Sequence, residues 1–363
     1  MSKKPANSIK SRLDKLRRVL KDNQALLLST PHDVFYLSGF NFLVPEEREA
    51  FLIITKKSVF LLHASFSPYQ SINIITPIKS CSLDKLKQQL QQLYQQESIT
   101  WLLIDKTSLF VNEYEAIKEL PFLKFSALDR QLIWKLRMIK DQTELSSLKK
   151  AAKLASLVMH DIWAKLKINI TEKQLRDLVE AKLKQAGSER VAFPPIVAFG
   201  ANSALPHHQP TDAKLTPETV VLIDFGATVC NYCSDMTRTI WFGDKPNPEF
   251  LKIEQVVKQA YQATLKKLNK KTTNQPILAQ SLDQTARQII TDAGYGKNFI
   301  HTTGHGLGIS LHESLSLNWQ NQQEVLPNMV VTIEPGIYLE NKFGYRYENT
   351  ILITDSQAKE LTR

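Results

Sequence analysis

Four carboxylates and one imidazole lie inside apolar, strand-like or glycine-marked segments, where an ionised side chain is costly to bury. They are Asp224 in IDFGA, Asp235 in SDMTRT, His305 in TGHGLG, Glu334 in TIEPG and Glu348 in YRYENT. A carboxylate removed from water without a partner loses its hydration, and several such groups together repel one another. Two divalent cations would offset that charge. An oxygen-rich donor set with one nitrogen suits Mn, Fe, Co or Zn in a reactive site better than a Cys-rich structural zinc site. Water shared between two such ions can ionise near neutral pH and become a nucleophile. The five segments therefore demand a fold whose strand ends converge on one cavity, and they imply a two-metal hydrolase.

The local patterns agree with that demand. VVLIDFGA reads as a strand, CSDMTRTIWF as another, and ATVCNY between them is long enough for an antiparallel reversal. Such pairing places Asp224 and Asp235 at one end of a sheet, facing one cavity. Glu334 follows the apolar MVVTI and precedes the turn pair Pro335-Gly336. Arg346 and Glu348 are alternate residues of YRYENT, so in a strand they share a face. Arg346 is then a candidate to pair with a metal-binding carboxylate or to touch substrate, although an isolated Arg-x-Glu is more often a surface pair. Gly304, Gly306 and Gly308 around His305 permit close backbone approach. No Gly-Lys-Ser/Thr follows to make GHGLG a phosphate loop.

A length of 363 residues points to two domains. Residues 1–135 alternate strand and helix patterns, an α/β domain; residues 136–363 mix helices with hairpins, an α+β domain. Ile9, Leu13, Leu16 and Leu20 mark one face of an amphipathic N-terminal helix, and no apolar signal core precedes it. Strands are expected at ALLLS, FLIIT, SVFLLH, NIITPI and TWLLID, with a helix from Leu83 to about Gln96. Capping boxes at Asp141/Glu144 and Thr171/Gln174 start two helices, the second ending at Gly187. Two more helices are expected, from Pro248 to Asn269 and from Pro276 to Ala293. The net charge of +10 is spread over scattered Lys and Arg with no aromatic-interleaved run, which reads as a solvated surface and not a nucleic-acid site. No stretch is long and apolar enough to span a bilayer, so a cytoplasmic protein is expected. Three cysteines, including Cys230 and Cys233 of CNYC, are expected to be buried reduced thiols.

The ordered segments, with ALPHHQP upstream of Asp224 and LHE after His305, resemble the pita-bread metallopeptidases: methionine aminopeptidase, aminopeptidase P and prolidase. YLSGF resembles a segment of the creatinase/prolidase N-terminal domain, and RMIKDQTE resembles the opening of the catalytic domain. The resemblance implies that Asp224, Asp235, His305, Glu334 and Glu348 bind two metal ions, with Asp235 bridging both. Manganese is expected, with Co, Zn or Fe as alternatives. It also implies that Glu334 acts as acid/base, that His207 and His312 contact substrate around the scissile amide, and that His301 lies nearby. The chain departs from the family pattern in places: His208 stands where Tyr is usual, and Asn349 follows Glu348 where Asp is common. Ser310 also stands where an acidic residue is more typical.

The activity so implied is hydrolysis of Xaa-Pro peptide bonds, with dipeptides as the favoured substrate and an Xaa-Pro aminopeptidase as the alternative. A dipeptidase must hold the free carboxylate of proline, whereas an aminopeptidase leaves room beyond it. A non-catalytic pita-bread protein binding nucleic acid or another protein is the rival of a different class. Retention of all five ligand types speaks against it, and likewise against metal-free creatinase. A proline-containing peptide as substrate and a homodimer complete the expectation, without membrane or specific nucleic-acid partners.

Overall fold

Ile9, Leu13 and Leu16 recur at helical spacing, and α1 (Lys3–Val19) buries all three together with Leu20 just beyond its end. Burying a leucine contributes about 1.5–3 kcal/mol relative to leaving it exposed. The computed structural model describes residues 3–269 and 276–363 and divides into two compact units, Met1–Leu136 and Arg137–Arg363.

In the first unit α1 is followed by β1 (Gln24–Leu28), α2 (Pro31–Ser38), β2 (Ala50–Thr55) and β3 (Val59–His63). Then come β4 (Thr76–Ile78), α3 (Leu83–Glu97), β5 (Trp101–Ile104), α4 (Val111–Lys118), β6 (Lys124–Ala127) and α5 (Gln131–Met138), within which the division falls. The strands form one mixed sheet in the order β4-β3-β2-β1-β5-β6. Its inner strands β1 and β2 are almost wholly buried, which explains their unbroken apolar sequences. Thr30 caps α2 through Asp33 N, Pro31 opens it, and Gly39 closes it at a φ of 75°. The strand expected over NIITPI shrinks to Thr76–Ile78 at the sheet edge. Helix α4 has no counterpart in the sequence reading, because VNEYEAIK mixes β-favouring and helix-favouring residues. Glu113 secures it by accepting from Phe110 N and pairing with Arg48 at 2.6 Å.

The second unit starts its helices where the capping boxes predict: α6 (Gln142–Trp163) and α7 (Glu172–Gln185), with Gly187 at a φ of 98° after the latter. Strands β7 (Ile196–Phe199), β8 (Thr219–Phe225), β9 (Thr228–Val229), β10 (Tyr232–Cys233) and β11 (Met236–Phe242) follow. The chain continues through α8 (Pro248–Asn269), α9 (Ala279–Asp292), β12 (Gly304–Gly306), β13 (Glu313–Leu317) and β14 (Val330–Ile333). It ends with β15 (Gly336–Leu339), β16 (Phe343–Arg346), β17 (Asn349–Ile353) and β18 (Ala358–Glu360). A three-stranded sheet runs β11-β8-β7 and a five-stranded sheet β13-β12-β14-β17-β18, with hairpins β9-β10 and β15-β16 beside them. Helices α6 and α7 bury Ala155, Ile162, Leu175 and Val179 against Val197, Val221, Ile223 and Phe225 of the smaller sheet. Helices α8 and α9 cover the other strands, with Tyr261 and Leu282 against Val331 and Ile351.

The thiols depart from expectation. Only Cys233 is buried; Cys81 is partly covered, and Cys230 is exposed at the turn of the β9-β10 hairpin. That turn holds Cys230 and Asn231 at φ values of 49° and 65°, the left-handed pair of a tight two-residue hairpin.

Phe225 is fully buried beside Asp224 in the core of the smaller sheet. Phe225→Ala should cost about 3–5 kcal/mol, read as a lower urea midpoint for the second unit.

Candidate metal centre

The antiparallel register of β8 and β11 pairs Asp224 with Thr237, so Asp235, just ahead of β11, emerges at the same sheet end as Asp224. His305 is the central residue of β12, which runs between β13 and β14. A Cβ at position 304 would lie 2.1 Å from Thr332 O, and one at 306 would lie 2.1 Å from Ser314 O. The glycines beside His305 are thus fixed by the crowding of neighbouring strands. Glu334 leaves the end of β14, and Glu348 lies in the short link from β16 to β17. The chain leaves β16 at Arg346, so Arg346 and Glu348 do not share one strand, yet both face the same cavity.

That cavity has a volume of about 490 Å³ and is lined by all five carboxylate and imidazole candidates, together with His207, His301, His312 and Arg346. His305 Nδ1 donates to Gly306 O at 3.0 Å, which leaves the Nε2 lone pair facing the carboxylates. Nε2 lies 3.4 Å from Glu334 Oε1 and 3.6 Å from Asp235 Oδ2. Ligand atoms of Asp235, His305 and Glu348 all lie within 4.8 Å of one another. Asp224 is held differently: its Oδ2 accepts from the Arg346 guanidinium at 2.6 Å. Its Oδ1, and Oδ1 of Asp235, are buried with no protein partner. A buried carboxylate oxygen left unsatisfied is expensive. Two such atoms beside a free imidazole lone pair fit divalent metal ions, hard acceptors of oxygen donors with room for one nitrogen.

The electrostatics agree. Burial pushes the carboxyl of Asp235 well above the usual range, and the charges of Glu348, Asp224 and Glu334 push it further. Glu348 is driven up by burial and by Glu334 and Asp224. Asp224 is raised by burial, with Arg346 opposing. Arg346 is the cation that faces this group, and it is also bound to Thr237 Oγ1 and Tyr338 Oη. Thr237 in turn donates to Glu348 Oε2 at 2.6 Å. Thr332 plays the matching part across the cavity, accepting from His305 N and donating to Glu334 Oε1.

The accessory histidines differ from one another. His301 Nδ1 bonds Thr302 O at 2.8 Å and its Nε2 bonds Tyr338 Oη at 2.9 Å, so both nitrogens are occupied by the protein. His312 lies with its ring 4.4 Å from that of His305, and burial, then His305, lowers its pKa and favours the neutral imidazole. His207 is exposed on the cavity wall, whereas His208 is buried and bonded to Glu172 at 2.8 Å. Asn349 joins Arg238, Tyr261, Glu360 and Thr362 through side-chain hydrogen bonds and so ties β17 to its surroundings. Ser310 Oγ accepts from Arg137 at 2.7 Å.

Several contributors were not singled out by the sequence reading. Tyr338 lies outside the quoted segments, and Thr237, although inside SDMTRT, offers no signal of its own. Glu313 was visible in LHE, directly after His312, but its partners are remote in sequence. It is buried, bonded to Arg137 at 2.6 Å and to Lys140 at 3.1 Å, and accepts from Ile309 N at 3.0 Å. These contacts brace the turn between His305 and His312.

Fold and donor set together define a metallopeptidase of the pita-bread type. Residues 146–355 match the model of metallopeptidase family M24, and residues 12–139 match the creatinase/prolidase N-terminal domain. The chain belongs to family M24, with that N-terminal domain preceding the catalytic one. It is 33% identical over 355 residues to an uncharacterized peptidase of Staphylococcus haemolyticus, covering 97% of this chain and 99% of the relative. Its fold superposes on an Xaa-Pro dipeptidase from Bacillus anthracis with a TM-score of 0.88 at 27% identity, covering 98% of each chain. The Pyrococcus horikoshii prolidase gives a TM-score of 0.85 at 30% identity over 97% of this chain and 98% of that one. An X-Pro aminopeptidase from Thermotoga maritima gives 0.83 at 28% identity over 96% and 98%.

Glu313 gives a pH prediction. Burial raises its pKa, but Lys140 and Arg137 outweigh that and bring it from 4.5 to about 2. A carboxyl lowered on folding stabilises fully above its unfolded pKa and loses that effect as pH falls through the folded value. Its contribution, on the order of 3 kcal/mol, should therefore be intact above about pH 4.5 and fade toward pH 2. Glu313→Gln should lower the thermal midpoint at pH 7 and flatten its dependence on pH between those limits.

Proposed function

We propose that this chain hydrolyses the peptide bond before proline with two divalent metal ions held by Asp224, Asp235, His305, Glu334 and Glu348. The observation that carries this reading is the pair of buried, unpartnered oxygens, Asp224 Oδ1 and Asp235 Oδ1, facing one cavity with His305 Nε2. Manganese is the ion proposed, with Co, Zn or Fe as substitutes. Ions held there supply Lewis acidity, which polarises a carbonyl and brings the ionisation of water toward neutral pH.

The chain's own groups then have separable tasks. Glu334 is partly open to the cavity, with its side chain 16% exposed, and its Oε1 is fixed by Thr332. It takes a proton from the attacking water and passes it to the proline nitrogen as the C–N bond breaks. An amide nitrogen leaves as an amine only once it is protonated, so this delivery completes the cleavage and releases proline as a secondary amine. His312, with its pKa lowered, and His207 on the cavity wall are placed to donate to the oxygen of the tetrahedral species. Arg346 favours the ionised form of Asp224 against the effect of burial and orients it. His301, with both nitrogens occupied, acts from behind by fixing Tyr338, which Arg346 also binds.

Dipeptides are the substrate we propose first, supported by the near-complete overlap with proteins described as prolidase or Xaa-Pro dipeptidase. Longer Xaa-Pro peptides are the second reading. Arg346 is the cation lining the cavity among the described residues, and its bonds to Asp224, Thr237 and Tyr338 commit it before any substrate carboxylate arrives. Rates on Xaa-Pro against Xaa-Pro-Xaa peptides decide between them. A cytoplasmic homodimer without a specific nucleic-acid partner completes the proposal. Among the described residues no helix is long and apolar enough to cross a membrane.

Chelation should abolish turnover, and metal analysis of the restored enzyme should give two ions per chain. Asp235→Asn should remove activity while leaving the fold intact, because an amide replaces an anionic metal-binding carboxylate poorly. One ion per chain at full turnover would refute the two-metal reading.

His305→Ala should lose metal and activity together. His207→Ala and His312→Ala should retain metal and lose about 10²–10³-fold in kcat, the scale of a removed oxyanion donor. Loss of metal in all three variants alike would mean that the two accessory histidines do not act on substrate.

A further inference from the structure

Glu172 is the first residue of α7, directly after its Thr171 cap, yet its side chain turns inward and is fully buried. Its Oε1 accepts from Phe199 N and Asn202 Nδ2, both at 2.8 Å. Its Oε2 bonds His208 Nε2 at 2.8 Å, Thr211 N at 2.8 Å and Thr211 Oγ1 at 2.7 Å. All these donors belong to one segment, residues 199–211, and the middle of that segment carries His207 to the cavity wall. A carboxylate only accepts, so His208 Nε2 carries its proton toward Glu172. Burial raises the carboxyl of Glu172, but the bonds from Asn202, Thr211, His208 and Phe199 N outweigh it and hold it below the usual range. Buried His208 and exposed His207 are sequence neighbours, so anchoring the His208 ring restrains the backbone that carries His207.

We propose that Glu172 and His208 are positioning residues for His207: a buried carboxylate–imidazole pair that fixes the substrate-facing ring through the segment between β7 and β8. The inference rests on the proposed role of His207 in peptide hydrolysis. It gives the family-atypical histidine a task, since His208 supplies an inward N–H to an acceptor that bundles the whole segment.

The test uses the metal-loaded full chain. Glu172→Gln and His208→Phe should each lower kcat for an Xaa-Pro peptide by about 10–100-fold, the usual scale for a removed outer partner, with KM changed less than about threefold and metal content unchanged. His208→Gln, which keeps a side-chain N–H, should recover most of the loss. In a His207→Ala background the further loss from Glu172→Gln should be less than about twofold, because residues that act through one group are not additive. An equal loss in both backgrounds, or an unchanged kcat in His208→Phe, overturns the proposal. If Glu172→Gln does not fold, the two His208 variants in both backgrounds give the same decision. NMR of ¹³C-labelled histidine rings separates this inference from the assigned activity. The His207 signal should shift in Glu172→Gln while those of His63 and His160 stay put, even if the protein proves inert toward every Xaa-Pro peptide. An unmoved His207 signal overturns the inference whatever the activity.

Discussion

The second unit is organised around an excess of buried negative charge that the protein itself neutralises only in part. Asp224, Asp235, Glu334 and Glu348 share one cavity with Arg346, and that guanidinium is committed to Asp224. Repulsion of this kind would open a soft structure. Here each carboxylate emerges from a different strand end or link, and the strands are locked by register and by the crowding around Gly304 and Gly306. The scaffold keeps like charges close because its apolar layers hold the strand ends in place, and metal binding would relieve what folding imposes.

Around this centre the hydroxyl groups carry much of the order. Thr237 links Arg346 to Glu348, and Thr332 links His305 to Glu334. Each is fully buried and passes one proton donor onward, so each fixes the orientation of a carboxylate without adding charge. A Lys in either place would compete with any cation for the carboxylates, and an apolar residue would leave the carboxylates to rotate.

The legible part of this molecule was its periodic and punctuated part. Capping boxes at Asp141 and Thr171 located two helices, and the apolar face of Leu13 and Leu16 located another. The five candidate donors stood out because Asp224 inside VVLIDF and Glu334 directly after MVVTI are charged residues at apolar strands, where they have no ordinary reason to be. Helix α4 was hidden because VNEYEAIK has mixed propensities and is secured by Arg48, distant in sequence. Tyr338 was hidden because its importance lies in bonds to Arg346 and His301, which the sequence does not advertise. Glu172 was visible only as the residue after a cap, since the helix pattern says nothing of a first-turn side chain that turns inward to hold another segment. Cys230 misled because a CxxC looks alike whether its first cysteine faces in or out of a hairpin turn.

The bracing of Glu313 has a consequence for where this polypeptide can be divided. Its two cations, Arg137 and Lys140, precede the Asp141 cap of α6, in a stretch that a cut guided by helix boundaries alone would discard. A polypeptide begun at Asp141 would retain every candidate donor and still carry a buried carboxylate stripped of its counter-ions. A second unit made on its own would therefore have to begin no later than Arg137, because the few residues ahead of α6 carry the counter-ions of a carboxylate that lines the cavity.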